Sequence, residues 1–508
     1  MVYNFSRERL NYSELLHRSN AAAEVSQDAI VPDALPDALR VIHAEPEVFI
    51  RSKEPQDGKA VVSGVVRAAA LYAPEDGGAA RRVSLETPFT LAVSDPKITS
   101  SSKLVARVWL DDADANIVNP RKLSFRAVVA GTISAYGDAV ADVPTNSGLE
   151  DAPGIELLNA NAELILPGEV REKTFTVTDT VAVPPSANSL REILTSRVTL
   201  VPEETRVVGS KLVFKGTAHT DLLYLTDDGK TDALSFASEF SQIAELDSAN
   251  ADGEFEIIPF VAGAYVDAAA ENDAKKLNIE IHAVGQIVAT TKYSLPYASD
   301  AYGTAFAAEP VCEPKTFAAV SAPQTYQTVL RGCLTAERVA RVISLSARSS
   351  AAEVTRSGGE TAVKTRITVG AVYSDTDGGL RSVSQKFEAV CPIKLDSDGE
   401  YTATASSGRD LYGVAADGGV EIRVPVEIRV AGAGLTTYSP VSSVSVDENG
   451  ARPADSRPSV ILARARPDDT LWSVAKRYGT TRGIVRETNA IEDGAELAGA
   501  MLIIPKSR

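Results

Sequence analysis

The sequence predicts a mainly β fold in which three repeated β-sandwich-like domains precede one small βααβ module. Three observations carry that expectation. A tyrosine followed at the fourth and fifth positions by Asp-Gly occurs three times at nearly equal spacing. Each copy is flanked by runs of β-branched and apolar residues that read as strands. The C-terminal stretch from 459 to 508 instead carries a helix-period apolar stripe between two short β-rich runs. At 508 residues the chain also exceeds what one hydrophobic core serves, so several domains are expected.

The repeat is anchored on Tyr72, Tyr224 and Tyr373, which lie 152 and 149 residues apart. Residues 61–71, 212–223 and 363–372 lead into them as strands. Asp76-Gly77, Asp228-Gly229 and Asp377-Gly378 then supply the positive φ of a tight hairpin turn. The returning strands carry Val83, Leu234 or Val383 and run to Phe89, Phe240 or Phe387, which are expected to plug the same core in each copy. About fifty residues beyond each tyrosine comes a further alternating strand: Leu123 and Phe125; Leu277, Ile279 and Ile281; Val420, Ile422 and Val424. Short helical or extended lead-ins precede the hairpins at 35–42, 189–194 and 337–343. Gly64 and Gly216 lie eight residues before their tyrosines, where the third copy has Thr365, so a bulge is expected in the first two copies and not in the third.

On these motifs, and on Asp300-Ala301-Tyr302 after the second copy, the chain resembles over roughly residues 25–445 the SPOCS domains of spore-coat assembly proteins from endospore-forming bacteria. The resulting division is an N-terminal segment at 1–24, domains at 25–143, 173–306 and 307–446, a linker at 144–172 and the final module at 459–508. Residues 447–458, with two prolines and no apolar periodicity, read as a flexible linker.

In the final module, Val460-Ile461-Leu462 is a β-rich start, and Asp469 is placed to cap a helix whose stripe is Leu471, Val474, Ala475 and Tyr478. Gly479 ends that helix, a second short helix follows at 481–488, and Met501 to Ile504 returns as a strand closed by Pro505. Asp468-Asp469-Thr470-Leu471-Trp472 through Tyr478-Gly479, then Asn489, then Leu497-Ala498-Gly499-Ala500-Met501, resembles a LysM domain along its whole length. The resemblance implies a shallow groove for N-acetylglucosamine polymers between the loops at 468–471 and 497–501. Two departures weaken the sugar reading: Pro467-Asp468-Asp469 stands where Pro-Gly-Asp is usual, and Ala498-Gly499 where Pro-Gly is usual. For a SPOCS-plus-LysM protein the implied partner is the morphogenetic ATPase that polymerises on the forespore surface as the coat's basement layer, with other coat proteins beside it. The candidate binding residues are accordingly Asp469, Thr470, Leu471, Trp472, Arg477, Tyr478, Asn489, Ala498, Gly499, Ala500 and Met501, with Trp472, Arg477 and Tyr478 nearest the partner.

Charge narrows the function further. A net charge of −17 argues against a nucleic-acid backbone or anionic membrane as main partner. Residues 459–508 hold eight basic and six acidic residues, so the module carries +2 and the remainder −19. Cys312, Cys333 and Cys391 are too few and too irregular for a disulfide framework, and no leader or long apolar run is evident, so a cytoplasmic address in the mother cell, at the forespore surface, is expected. Asp228-Gly229-Lys230-Thr231 imitates the end of a phosphate-binding loop but joins two strands, and reads as a hairpin turn. Asp112-Ala113-Asp114-Ala115-Asn116 imitates a calcium loop but lacks its sixth-position glycine and twelfth-position glutamate, and reads as a solvated turn. His17, His43, His219 and His282 are far apart. No catalytic, metal or cofactor site is expected; the chain reads as a scaffold or adaptor, the alternative being a wall protein whose LysM grips peptidoglycan or chitin.

Overall fold

The computed structural model describes residues 1–149, 154–247, 253–268, 276–321, 323–357, 360–395, 400–451, 458–492 and 495–505. The chain is mainly β. After β1 (Val2–Asn4), six strands form the first unit: β2 (Arg7–Ile30), β3 (Ala38–Gln56), β4 (Lys59–Pro74), β5 (Arg81–Ser94), β6 (Lys103–Asn119) and β7 (Lys122–Pro144). They pair as two antiparallel three-stranded sheets, β2-β7-β6 and β3-β4-β5. One apolar cluster joins the sheets: Tyr72, Leu85 and Phe89 from one meet Phe125, Val129 and Ile133 from the other. Along β5, burial alternates residue by residue from Val83 to Val93, as a strand with one wet face requires.

The second unit repeats this order with β8 (Ile155–Ala182), β9 (Leu190–Val208), β10 (Lys211–Thr226), β11 (Thr231–Glu245), β12 (Glu254–Ala268) and β13 (Lys276–Gly303). Its sheets are β8-β13-β12 and β9-β10-β11. Phe175, Phe214 and Phe240 fill its core with ring centroids 5.2 to 6.4 Å apart. After β14 (Phe306–Cys312), the third unit comprises β15 (Lys315–Val320), β16 (Gln324–Thr335), β17 (Val339–Ser357), β18 (Glu360–Asp375), β19 (Leu380–Ile393), β20 (Glu400–Ser407), β21 (Tyr412–Ala416) and β22 (Gly419–Tyr438). Two strand positions are split here, since β15 and β16 both pair with β22, as do β20 and β21. A single pairing, Ala352 with Ala403, bridges its two halves. β23 (Val441–Ala451) then pairs with both β1 and β14, so the two ends of the β-rich region share a small sheet.

The repeat motif is structural. Tyr72, Tyr224 and Tyr373 are all buried. The Tyr72 hydroxyl donates to the Pro36 carbonyl at 2.9 Å and that of Tyr224 to Asn188 at 3.3 Å, each reaching 36 residues upstream. Gly77, Gly229 and Gly378 turn the hairpins at φ of 72°, 81° and 83°. The late-strand residues Leu123, Phe125, Leu277, Ile279, Ile281, Val420, Ile422 and Val424 are buried too.

The structure differs from expectation at the edges of the units. Residues 1–24 are no separate segment, because β2 pairs with β7 from Arg7 onward. Residues 155–172, expected within a linker, form the first half of β8 and pair with β13 from Gly303 back to Gln286. Both strands are rich in Asn, Glu and Ala, so pairing with β7 and β13 rather than their own propensity holds them extended. Of the expected linker at 447–458, residues 447–451 extend β23 and 452–457 lie outside the described residues. Asp112 to Asn116 lies within β6 rather than in a turn. Register shifts occur at Ile50/Ser52, Lys215/Gly216 and Ser349/Ala352, so the third copy also has its irregularity, despite Thr365.

The units converge on shared contacts. Leu71, Leu223 and Val372, each the residue before its repeat tyrosine, meet in one cluster with Ile42 and Leu194. A second junction joins Leu10, Leu164 and Phe317 from the first strand of each unit. Between equivalent strands, Glu45 of the first unit lies 3.6 Å from both Arg197 of the second and Arg348 of the third. The final module has the order β24 (Val460–Arg464), α1 (Leu471–Tyr478), α2 (Arg482–Asn489) and β25 (Met501–Pro505), with β24 antiparallel to β25. Among the described residues no helix is long and apolar enough to cross a membrane.

Candidate functional site

The candidate binding residues all lie in the final module, and their geometry starts at the first turn of α1. Thr470, not Asp469, is the N-cap: its hydroxyl accepts from the Ser473 N–H, and the Ser473 hydroxyl accepts from the Thr470 N–H. Asp469 instead faces the helix from outside the first turn, accepting from the Arg466 N–H at 2.8 Å and from Arg477 Nη1 at 2.9 Å. Those bonds, Arg477 foremost, hold its carboxyl well below the ordinary aspartate range. Gly479 closes α1 in the left-handed conformation, and Thr481 caps α2.

Leu471, Trp472, Val474, Ala475 and Tyr478 pack toward one core with Val485, Leu497, Ala500, Leu502 and Ile504. The returning loop is tied to the end of β24: Ala465 N–H donates to the Ala500 carbonyl and Gly499 N–H to Ala465. Asn489 is consumed internally, its amide donating to the Val485 and Ile503 carbonyls and accepting from the Ile503 N–H, which locks α2 onto β25. Ala498, Gly499 and Met501 are exposed on the returning loop and strand. The structure thus ties Asp469, before α1, to Arg477 in its last turn, makes Thr470 the cap, and puts Leu471, Trp472, Tyr478 and Ala500 into packing. It leaves Ala498, Gly499 and Met501 on the outside.

Trp472 is where the module meets the rest of the chain. Its indole N–H donates to Asp300 at 2.8 Å, and its ring meets Tyr302 edge-on at a centroid distance of 4.7 Å. Lys476 Nζ reaches the same carboxylate at 2.5 and 2.7 Å, and the Tyr302 hydroxyl donates to the Thr480 carbonyl at 2.7 Å. Arg482 lies over the indole at 5.1 Å and donates to the Leu157 carbonyl at 2.9 Å. Partial burial alone would raise the Asp300 carboxyl, but hydrogen bonds from Lys476 and Trp472 outweigh it and hold the group below its usual range. The end of the second unit is therefore the surface that covers helix α1. Asp300, Tyr302, Lys476 and Arg482 are not among the binding residues expected from sequence: Asp300 and Tyr302 figure there only in a family motif, and Asp300 and Lys476 lie 176 residues apart.

Outside the module, the three cysteines are free, Cys391 buried and Cys312 and Cys333 exposed. Among the described residues, no group of three or more His, Cys, Asp and Glu side chains is placed to hold a metal ion.

No curated protein and no solved structure matches the chain. Residues 37–118, which carry Tyr72, the Asp76-Gly77 turn, Phe89 and the strands from β3 through most of β6, match the family model described as SipL, SPOCS domain. Over these residues the first unit is similar to the SPOCS domain of SipL.

Proposed function

We propose that this chain is a non-catalytic scaffold of the spore coat, built from three SPOCS repeats and a LysM module that binds the polymerising ATPase of the coat's basement layer. The observation that carries the reading is the SPOCS match at 37–118 combined with recurrence of its hairpin: buried tyrosine, Asp-Gly turn at positive φ, and a returning strand that carries a phenylalanine. The mother-cell cytoplasm at the forespore surface is the compartment this role requires. A protein partner is favoured over a glycan because the side chains able to grip sugar hydroxyls are engaged within the chain. Asn489 is bonded to β25, Asp469 to Arg477, and Trp472 lies against Tyr302.

The test is truncation after Asn449 in sporulating cells. Recruitment to the forespore should be abolished while the β-units stay folded, and the full chain should co-purify with the ATPase. Sedimentation of the full chain with insoluble peptidoglycan, together with no retention of the ATPase, would replace this reading by the wall-binding one.

A further inference from the structure

A two-stranded sheet packed on two helices has one buried and one wet face, so its outward positions are ordinarily polar. In β24 and β25 the inward set is as expected, with Ile461, Ala463, Leu502 and Ile504 packed in the module's core. The outward set is not. Leu462, Met501, Val460 and Ile503 are 68, 62, 53 and 41% exposed. They adjoin across the ribbon, where Leu462 faces Ile503, Arg464 faces Met501 and Val460 faces Pro505. Four of the nineteen large apolar side chains left exposed among the described residues thus fall within two five-residue strands. Single exposed apolar residues are ordinary, whereas a contiguous set marks a contact surface.

Two further facts say what covers it. The helical side of the module is occupied by Asp300 and Tyr302 of the second unit, which leaves the outer face of the strand pair open. Beside the apolar set, Arg464 and Arg466 are exposed and have no side-chain ion pair among the described residues, in a chain of net charge −17. Unneutralised guanidinium groups bordering an apolar face complement carboxylates bordering an apolar ridge. The apolar groups stand on the face of the ribbon rather than along its backbone edge, which suits a helix laid across them and not an added strand.

We propose that the outer face of the β24–β25 strand pair docks an amphipathic helix of a partner protein. The apolar side of that helix lies on Leu462, Met501, Val460 and Ile503, and its flanking carboxylates meet Arg464 and Arg466. The inference rests on the protein-partner reading of the module and names the surface that serves it.

The experiment uses the full chain and the purified basement-layer ATPase as probe. Leu462→Thr with Ile503→Thr removes apolar area while keeping good strand formers, and Arg464→Glu reverses the border charge. The double threonine variant should bind the ATPase at least about tenfold more weakly with an unchanged melting temperature, and Arg464→Glu should bind more weakly and with a smaller salt dependence. A wild-type chain that does not bind the ATPase overturns both the function proposed above and this surface. Wild-type binding that neither variant alters overturns the surface alone. Sedimentation velocity of the chain without partner supplies the last arm: self-association that the threonine pair abolishes would make a second copy the occupant and overturn the helix assignment.

Discussion

Glu45 and Glu47 lie two residues apart on β3, on one face of the strand, yet their surroundings pull them in opposite directions. Burial alone would raise Glu45, but Arg197, with His43 and Arg348 behind it, outweighs that and holds the carboxyl down at about 2. Glu47 is pushed up to about 7, first by burial and further by the Glu45 charge, against the opposing Val198 N–H, Arg197 and Arg67. A carboxyl that keeps its proton to higher pH when folded contributes stability below its unfolded value of 4.5, and that stability is lost as pH rises toward 7. Glu47→Gln keeps an acceptor for the Val198 N–H and cannot ionise. The variant should therefore exceed the parent by about 1–3 kcal/mol at pH 8 and differ little from it at pH 4.5. Urea midpoints at the two pH values check this; an equal gain at both would mean that packing and not ionisation is responsible.

At the level of elements, the hairpins are legible in the sequence because every determinant is local: the turn glycine, the alternation and the tyrosine lie within about thirty residues of one another. β2 and β8 are not legible, since their partners lie up to 137 and 148 residues away, at Arg7 with Pro144 and Ile155 with Gly303. The glycine before each tyrosine is half legible. In the second unit Gly216 pairs with Phe240, and a Cβ there would come within 2.2 Å of the Val201 carbonyl oxygen and 2.7 Å of the Phe240 ring. Gly64 repeats this against Phe49 and Phe89. In the third unit Thr365 pairs with Ala389 and donates to the Ser350 carbonyl at 3.3 Å, while Phe387 lies against Gly332 of β16 instead. The aromatic-over-glycine contact is kept there but drawn from another strand, which spacing alone does not reveal. Gly216→Ala should accordingly destabilise by about 2–3 kcal/mol, because backbone must move, whereas Thr365→Ala should cost about 1 kcal/mol. Thermal unfolding of the two variants ranks them, and a tolerated Gly216→Ala would count against the close approach at the bulge.

Across the whole molecule, a string of independent domains is the picture a repeat suggests, and the packing is tighter than that. Each unit has its own core, but Leu71, Leu223 and Val372 share a cluster, and β23 draws β1 and β14 into one sheet. Pairwise contacts between diverged copies leave no periodic trace, so this level of order is absent from a reading of motifs. The same holds for the final module, whose sequence specifies its own fold but not its docking on Asp300 and Tyr302. Asp300→Ala with Tyr302→Ala should release it. In a Trp109→Phe background Trp472 is the one remaining tryptophan, and its emission should shift to the red as water replaces Tyr302 and the carboxylate. Small-angle scattering should show a larger radius of gyration at the same time. Lys476→Ala alone should do little, because its side chain is 42% exposed and such ion pairs contribute about 0–1 kcal/mol. Asp300 titrates below its usual range, so the contact it makes is present at neutral pH and is lost only as pH falls through that lowered value. Unshifted emission in the double variant would mean that Trp472 is held by the module's own core, leaving the second unit no part in orienting the outer face of the β24–β25 strand pair.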